Sequence, residues 1–252
     1  DAYNASSAVI VPGSGTFGME SVARQFANNQ KCLVLRNGWF SYRWTQIFDL
    51  EQFTQDVHVI KGRQVEHTAQ GAFAPPPIEE VVAFIQKEKP DVVFAPHVET
   101  SAGIILPPEY LRAIGDAVES VDGLFVLDCI ASGAMWVDMK ASKVDVLISA
   151  PQKGWSSSPC CALIGLSERA RQKIEQTQSN SFSIDLKKWL QIMETYENGG
   201  HVYHTTMPTD ALKILRNVMQ ETQALGFDHL RNQQIELGKK VRAMLVKRGY
   251  PS

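Results

Sequence analysis

The sequence predicts an α/β fold: a doubly wound, mostly parallel sheet flanked by helices. Two observations carry this prediction. Between Ala8 and Ile148, short runs rich in Val, Ile and Leu recur, apolar on both faces, as strands are when helices cover both sides of a sheet. Amphipathic stretches alternate with these runs, which is the pattern of a βαβ layer architecture.

The predicted strands are Ala8 to Val11, Cys32 to Leu35, Val57 to Ile60, Val92 to Ala95, Leu124 to Leu127 and Val144 to Ile148. Met19, Val22, Ala23 and Phe26 share one helical face after the first strand. Ile78, Val81, Val82 and Ile85 form another stripe, which Pro90 ends. After Leu166 only helical periodicity remains, with stripes at Leu212, Leu215 and Met219 and at Leu237, Val241, Met244 and Leu245. The chain reads as one domain over 1–252, a sheet region over about 1–166 and a helical extension over about 167–252.

Composition bounds the partners. With 252 residues, 44% apolar, and 25 basic against 27 acidic side chains, the chain is an ordinary globular sequence. It has no field to draw nucleic acid or a membrane surface and no uncharged apolar run of about 18 residues. Small molecules and other subunits are the expected partners. Cys32, Cys129, Cys160 and Cys161 have neither disulfide-framework density nor zinc spacing. The expected location is therefore the cytoplasm, with an organelle as the alternative. Opening at Asp1 without Met and closing at Pro251-Ser252, the sequence reads as a fragment of a longer chain.

In a doubly wound sheet, ligands sit beyond the carboxyl ends of the strands, so the loops there are where chemistry is expected. The segment Gly13-Ser14-Gly15-Thr16-Phe17-Gly18 opens a helix after the first strand, where amides and the helix dipole hold a phosphate. It matches the dinucleotide pattern, but that pattern wants an acidic residue after the second strand, where Arg36-Asn37 stands. Asp128 brings a carboxylate to the mouth of a buried strand, suited to a protonated heterocycle or to a salt bridge. Lys153, among Pro151, Gln152 and Gly154, is either a solvated lysine or a desolvated Schiff-base nucleophile. Together, an acid for a pyridinium nitrogen, a lysine for an aldehyde and a helix start for a phosphate are what pyridoxal 5'-phosphate asks of a protein.

With these loops in view, the sequence resembles the class V aminotransferases of the fold-type I pyridoxal-phosphate enzymes, most of all the alanine-glyoxylate and serine-pyruvate (serine-glyoxylate) group. The resemblance rests on Gly13-Ser14-Gly15-Thr16, Asn37-Gly38-x-Phe40, His97-x-Glu99-Thr100-Ser101-Ala102-Gly103, Asp128-x-Ile130-x-Ser132, Gln152-Lys153 and Tyr203-His204-Thr205-Thr206, in the family's order and spacing. It implies the large, cofactor-binding domain of that fold, with the small C-terminal domain missing and with it the arginine for the substrate carboxylate.

The resemblance also implies roles. Lys153 would form the Schiff base with pyridoxal 5'-phosphate and shuttle a proton, and Asp128 would pair with the ring nitrogen. Phe40 would stack on the ring, Ile130 would pack on its other face, and Thr100 would bond the phenolic oxygen. Ser14, Gly15, Thr16 and Gln152 would hold the phosphate. Tyr203 and Thr206 would reach the neighbouring subunit's phosphate in a homodimer. The implied activity is transfer of an amino group from serine or alanine to glyoxylate or pyruvate, although the isolated fragment could be inactive. The alternatives are a 2-aminoethylphosphonate-pyruvate transaminase, a cysteine desulfurase and a non-catalytic dimerisation domain.

Other features have plainer readings. Phe40 with Trp39, Tyr42 and Trp44 could be core; if Trp39 and Trp44 instead face the site, they favour small substrates. Glu99 is either a second catalytic acid or the cap of a helix starting near Pro107. His201 and His204 lie in a loop context, against a metal pair.

Overall fold

The computed structural model describes residues 2–69 and 71–250. Asp1, Gln70, Pro251 and Ser252, among them the chain ends behind the fragment reading, lie outside the described residues. Seven strands form the central sheet: β1 (Ser7–Pro12), β2 (Cys32–Arg36), β3 (Val57–Lys61), β4 (Val92–Pro96), β5 (Leu124–Asp128), β6 (Val146–Ser149) and β7 (Cys161–Leu166). Their order is β1-β7-β6-β5-β4-β2-β3. Pairs from β6 to β3 are parallel, and β7 runs antiparallel to both β6 and β1.

The six predicted strands are present, and two details differ. β6 starts at Val146 rather than Val144, because the Val144 amide donates to the Met139 carbonyl of the preceding helical turn. β7 was not predicted. Its Cys-Ala-Leu-Ile-Gly-Leu run is another short apolar segment, and only its wedging between β1 and β6 reveals it as a strand.

Alternate residues of the strands feed two opposite cores, as the two-residue repeat of a strand requires. Val34, Phe94, Val126, Ile148 and Ile164 face α1 (Gly15–Phe26), α2 (Trp39–Glu51), α6 (Glu168–Gln176) and α7 (Leu186–Glu197). Leu33, Val93, Phe125, Leu127 and Leu147 face α3 (Ile78–Glu88), α4 (Pro108–Ser120) and the short α5 (Met139–Ser142). The predicted stripe on α1 is buried throughout. In a third cluster, Leu212, Leu215 and Met219 of α8 (Thr209–Leu225) pack with Trp136 and Trp155.

The stripe on α9 (Phe227–Lys247) does not reach a core. Leu237 is 62% exposed, Val241 and Met244 are exposed too, Leu245 is half-buried, and the helix buries no residue. A helical stripe marks a face that can pack, and among the described residues no element buries this one. Among the described residues no helix is long and apolar enough to cross a membrane.

Because β3 lies outside β2 while β4, β5 and β6 follow in the other direction, the winding reverses between β2 and β4. The loops after β2, β4, β5 and β6 leave the same edge of the sheet there, and α1 brings its N-terminus to that edge.

Candidate active site

Each glycine of the first loop has its own physical reason. Gly13 adopts φ +122°, which L side chains rarely take. A Cβ on Gly15 would stand 2.6 Å from Ile130 Cδ1. One on Gly18 would press into Ala162 Cβ, so α1 lies directly on the sheet. Ser14 is the N-cap residue, yet its side chain makes no capping hydrogen bond and the first turn holds no acidic residue. The amides that start α1 are thus open to an anion.

This helix start forms one wall of a cleft of about 180 Å³. Ser14, Gly15, Thr16, Phe40, Thr100, Asp128, Ile130, Gln152 and Lys153 all line it, contributed by five separate segments of the chain. Tyr203 and Thr206 do not. They are exposed on the loop between α7 and α8, with Tyr203 77% exposed, and not on a helix. His204 in that loop bonds the Phe182 carbonyl through Nε2 at 2.9 Å. No group of three or more His, Cys, Asp or Glu among the described residues is placed to hold a metal.

Asp128 ends β5 and is buried. Its Oδ1 accepts the Ile130 amide at 2.9 Å. Burial pushes its pKa up to about 6, the Ile130 amide and Arg43 pull the other way, and the charge of Glu99 adds to the rise. A carboxylate in this state has room for a cation. Behind it, the His97 amide donates to the Asp128 carbonyl at 2.9 Å, and His97 Nδ1 lies 2.7 Å from Ser132 Oγ. Burial lowers the His97 pKa to about 4, so the ring is neutral at pH 7.

Lys153 faces the cleft but is exposed, so the desolvation expected of it is not found in this chain. Its neighbour Gln152 has a buried Oε1 without a hydrogen-bond partner. Phe40 is 37% exposed and presents its ring to the cleft instead of the core. Of its aromatic neighbours, Trp44 is core, 4.5 Å from Phe94, while Trp39 and Tyr42 are exposed. Neither Trp39 nor Trp44 lines the cleft.

Two residues have roles that the sequence did not disclose. Glu99 is no cap for α4: its carboxylate accepts the Phe40 and Ser41 amides at 3.1 and 2.9 Å and so caps α2. Burial raises its pKa, and bonds from Ser101, Ser41 and Phe40 outweigh that and leave it below the usual carboxylate range. Arg43, one turn beyond Phe40, donates from Nη1 to Thr16 Oγ1 at 3.1 Å and lies 5.8 Å from the Phe40 ring. Its i+3 spacing from Phe40 was the available signal. The four cysteines are free and buried, and Cys160 and Cys161 sit with sulfurs 3.7 Å apart.

The chemistry of this donor set fits pyridoxal 5'-phosphate. A buried carboxylate, an amine, an aromatic and an aliphatic side chain, an open helix start and a buried amide oxygen with no partner among the described residues border one cleft. The sheet order and its flanking helices are those of the large domain of the fold-type I pyridoxal-phosphate fold.

Residues 4–249 match the family model for class-V aminotransferases, and the chain belongs to that family. It is 28% identical over 256 residues to the (S)-ureidoglycine–glyoxylate transaminase of Bacillus subtilis, covering 93% of this chain and 58% of that protein. It is 26% identical over 225 residues to the alanine–glyoxylate aminotransferase of Rattus norvegicus, covering 88% of this chain and 51% of that protein. The structure of an alanine–glyoxylate aminotransferase from Nostoc sp. superposes with TM-score 0.81 at 21% identity, over 98% of this chain and 62% of that one. The chain thus spans a little over half the length of the curated relatives it matches.

Proposed function

We propose that the whole protein is a pyridoxal-phosphate-dependent aminotransferase that moves an amino group from a small amino acid, serine or alanine, to glyoxylate, with pyruvate as the alternative acceptor. The observation that carries this reading is the meeting of Asp128, Lys153 and the open start of α1 in one cleft. The names of related proteins support the acceptor: ureidoglycine, aspartate and alanine vary as donors, and glyoxylate is common to all three.

When bound, pyridoxal phosphate supplies a protonated ring that draws electron density from the bonds of the substrate Cα. Lys153 would provide the amine that holds the cofactor and would move the proton at the substrate Cα. Asp128, at the end of a buried strand, would accept from the ring N–H and keep that proton in place. Phe40 and Ile130 would hold the ring, and Thr100 would bond its phenolic oxygen. Ser14, Gly15, Thr16 and Gln152 hold the phosphate with amides, hydroxyls and an amide side chain.

The same reading assigns Tyr203 and Thr206 to the neighbouring subunit's phosphate, making the active unit a homodimer in the cytoplasm. Their exposure, and their absence from the lining of this chain's own cleft, support that assignment. The test is amino transfer by the full-length protein from serine, alanine, aspartate and 2-aminoethylphosphonate to glyoxylate and to pyruvate. Glycine formed from glyoxylate with serine or alanine is the expected result. Exclusive use of 2-aminoethylphosphonate with pyruvate would replace the reading. Donors differing by one methylene are separated by only about 1–3 kcal/mol, so overlapping donors are expected.

A further inference from the structure

Behind the cleft, the loop after β4 meets the first turn of α2, and a buried carboxylate joins them. Glu99 is completely buried, and its donors among the described residues are amides and hydroxyls. Oε1 accepts the Phe40 amide at 3.1 Å and the Ser101 hydroxyl at 2.6 Å. Oε2 accepts the Ser41 amide at 2.9 Å and the Ser41 hydroxyl at 2.6 Å. The two hydroxyl oxygens accept in turn: Ser101 Oγ from the Trp39 amide at 2.8 Å, Ser41 Oγ from the Gly38 amide at 3.1 Å.

Every amide from Gly38 to Ser41, which a helix start leaves without a partner, therefore ends on Glu99 or on a hydroxyl that Glu99 holds. The negative charge also sits at the positive end of the α2 dipole. There is no slack in this joint, since a Cβ on Gly38 would lie 2.8 Å from Glu99 Cδ. Both residues flanking the joint reach the cleft: Phe40 from the helix side, and Thr100, between Glu99 and Ser101, from the loop side.

We propose that Glu99 is a positioning residue of the cleft, locking the first turn of α2 to the loop after β4 and so setting the stance of Phe40 relative to Thr100. The inference rests on the reading of the cleft as a pyridoxal-phosphate site. Glutamine at 99 keeps the shape but has one acceptor oxygen and turns an NH2 toward amide and hydroxyl donors. Charge-assisted bonds to buried amides are among the stronger ones a protein makes, so their loss is felt across the joint.

The test uses the full-length protein, with Glu99→Gln and Ser101→Ala beside the wild type. Three readouts are taken: affinity for pyridoxal phosphate by absorbance titration, circular dichroism induced in the saturated cofactor band, and amide exchange at Phe40 and Ser41 without cofactor. Glu99→Gln is expected to weaken affinity about tenfold or more, diminish the induced dichroism and speed exchange at both amides. Ser101→Ala should move all three the same way by less, and it decides the matter if Glu99→Gln does not fold. Wild-type affinity and dichroism in the variants, or a fall in affinity with dichroism and exchange unchanged, would overturn the positioning role. A wild type that binds no pyridoxal phosphate would instead overturn the reading of the cleft, and the inference with it.

Discussion

Replacing Asp128 by Asn is expected to stabilise the cofactor-free protein above neutral pH and to weaken its hold on the cofactor. Burial raises the Asp128 pKa from the ordinary 3.8 to about 6 in the folded chain. The folded state then binds more protons than the unfolded state between those two values, so stability falls as pH rises through that window. The rise of roughly two pH units corresponds to about 3 kcal/mol at pH 8 and about 1 kcal/mol at pH 4.5. Asparagine carries no charge at either pH and keeps an Oδ1 for the Ile130 amide, now bonded at 2.9 Å. The stability advantage of the Asn variant should thus grow by about 2 kcal/mol between pH 4.5 and pH 8.

The assay is urea unfolding of the two cofactor-free proteins at both pH values, followed by titration with pyridoxal phosphate. A bound, protonated ring nitrogen supplies the missing cation, so the variant should bind about tenfold or more weakly. A stability difference that does not change with pH would refute the electrostatic account of the strand end. Undiminished cofactor affinity would refute the role of Asp128 as the ring's partner.

Borohydride treatment of the cofactor-loaded protein, with peptide mapping, should place the pyridoxyl group on Lys153; finding it on Lys140 or Lys143 would end that assignment. Gly18→Ala should cost about 1–3 kcal/mol in urea unfolding, because its methyl would push into Ala162 Cβ and stand 3.2 Å from Ile148 Cγ2. Wild-type stability there would mean that α1 does not lie so close to the sheet. Mixing Lys153→Ala with Thr206→Ala subunits should give hybrid dimers in which one of the two sites is whole and recovers cofactor affinity. A strictly monomeric full-length protein would rule this out.

Much of the site was legible because its chemistry is local. Asp128, Lys153 and the Gly13 to Gly18 turn each follow a short Val/Ile/Leu-rich run that alternates with helical stretches, so their place at the carboxyl edge came with the pattern. The doubly wound sheet was readable for the same reason, since runs apolar on both faces need helices on both sides. Side-chain partners were not readable, because they are chosen by elements distant in sequence. Glu99 caps α2, nearly 60 residues upstream, instead of the helix that follows it, and Arg43 of α2 reaches back to Thr16 at the start of α1.

Burial likewise belongs to the assembled chain. Trp44 and Trp39 sit five residues apart on one helix, yet the first is core and the second is exposed, because only one of them lies on the face that meets Phe94. The apolar stripe of α9 has the helical periodicity of the buried stripe of α1, but among the described residues nothing buries it. From sequence alone came the periodicities, the turns and the residue types able to hold a cofactor. Only tertiary structure decided which carboxylate is left with room for a cation, which caps a helix, and which apolar face is buried, since each depends on what the folded chain brings within a few ångströms.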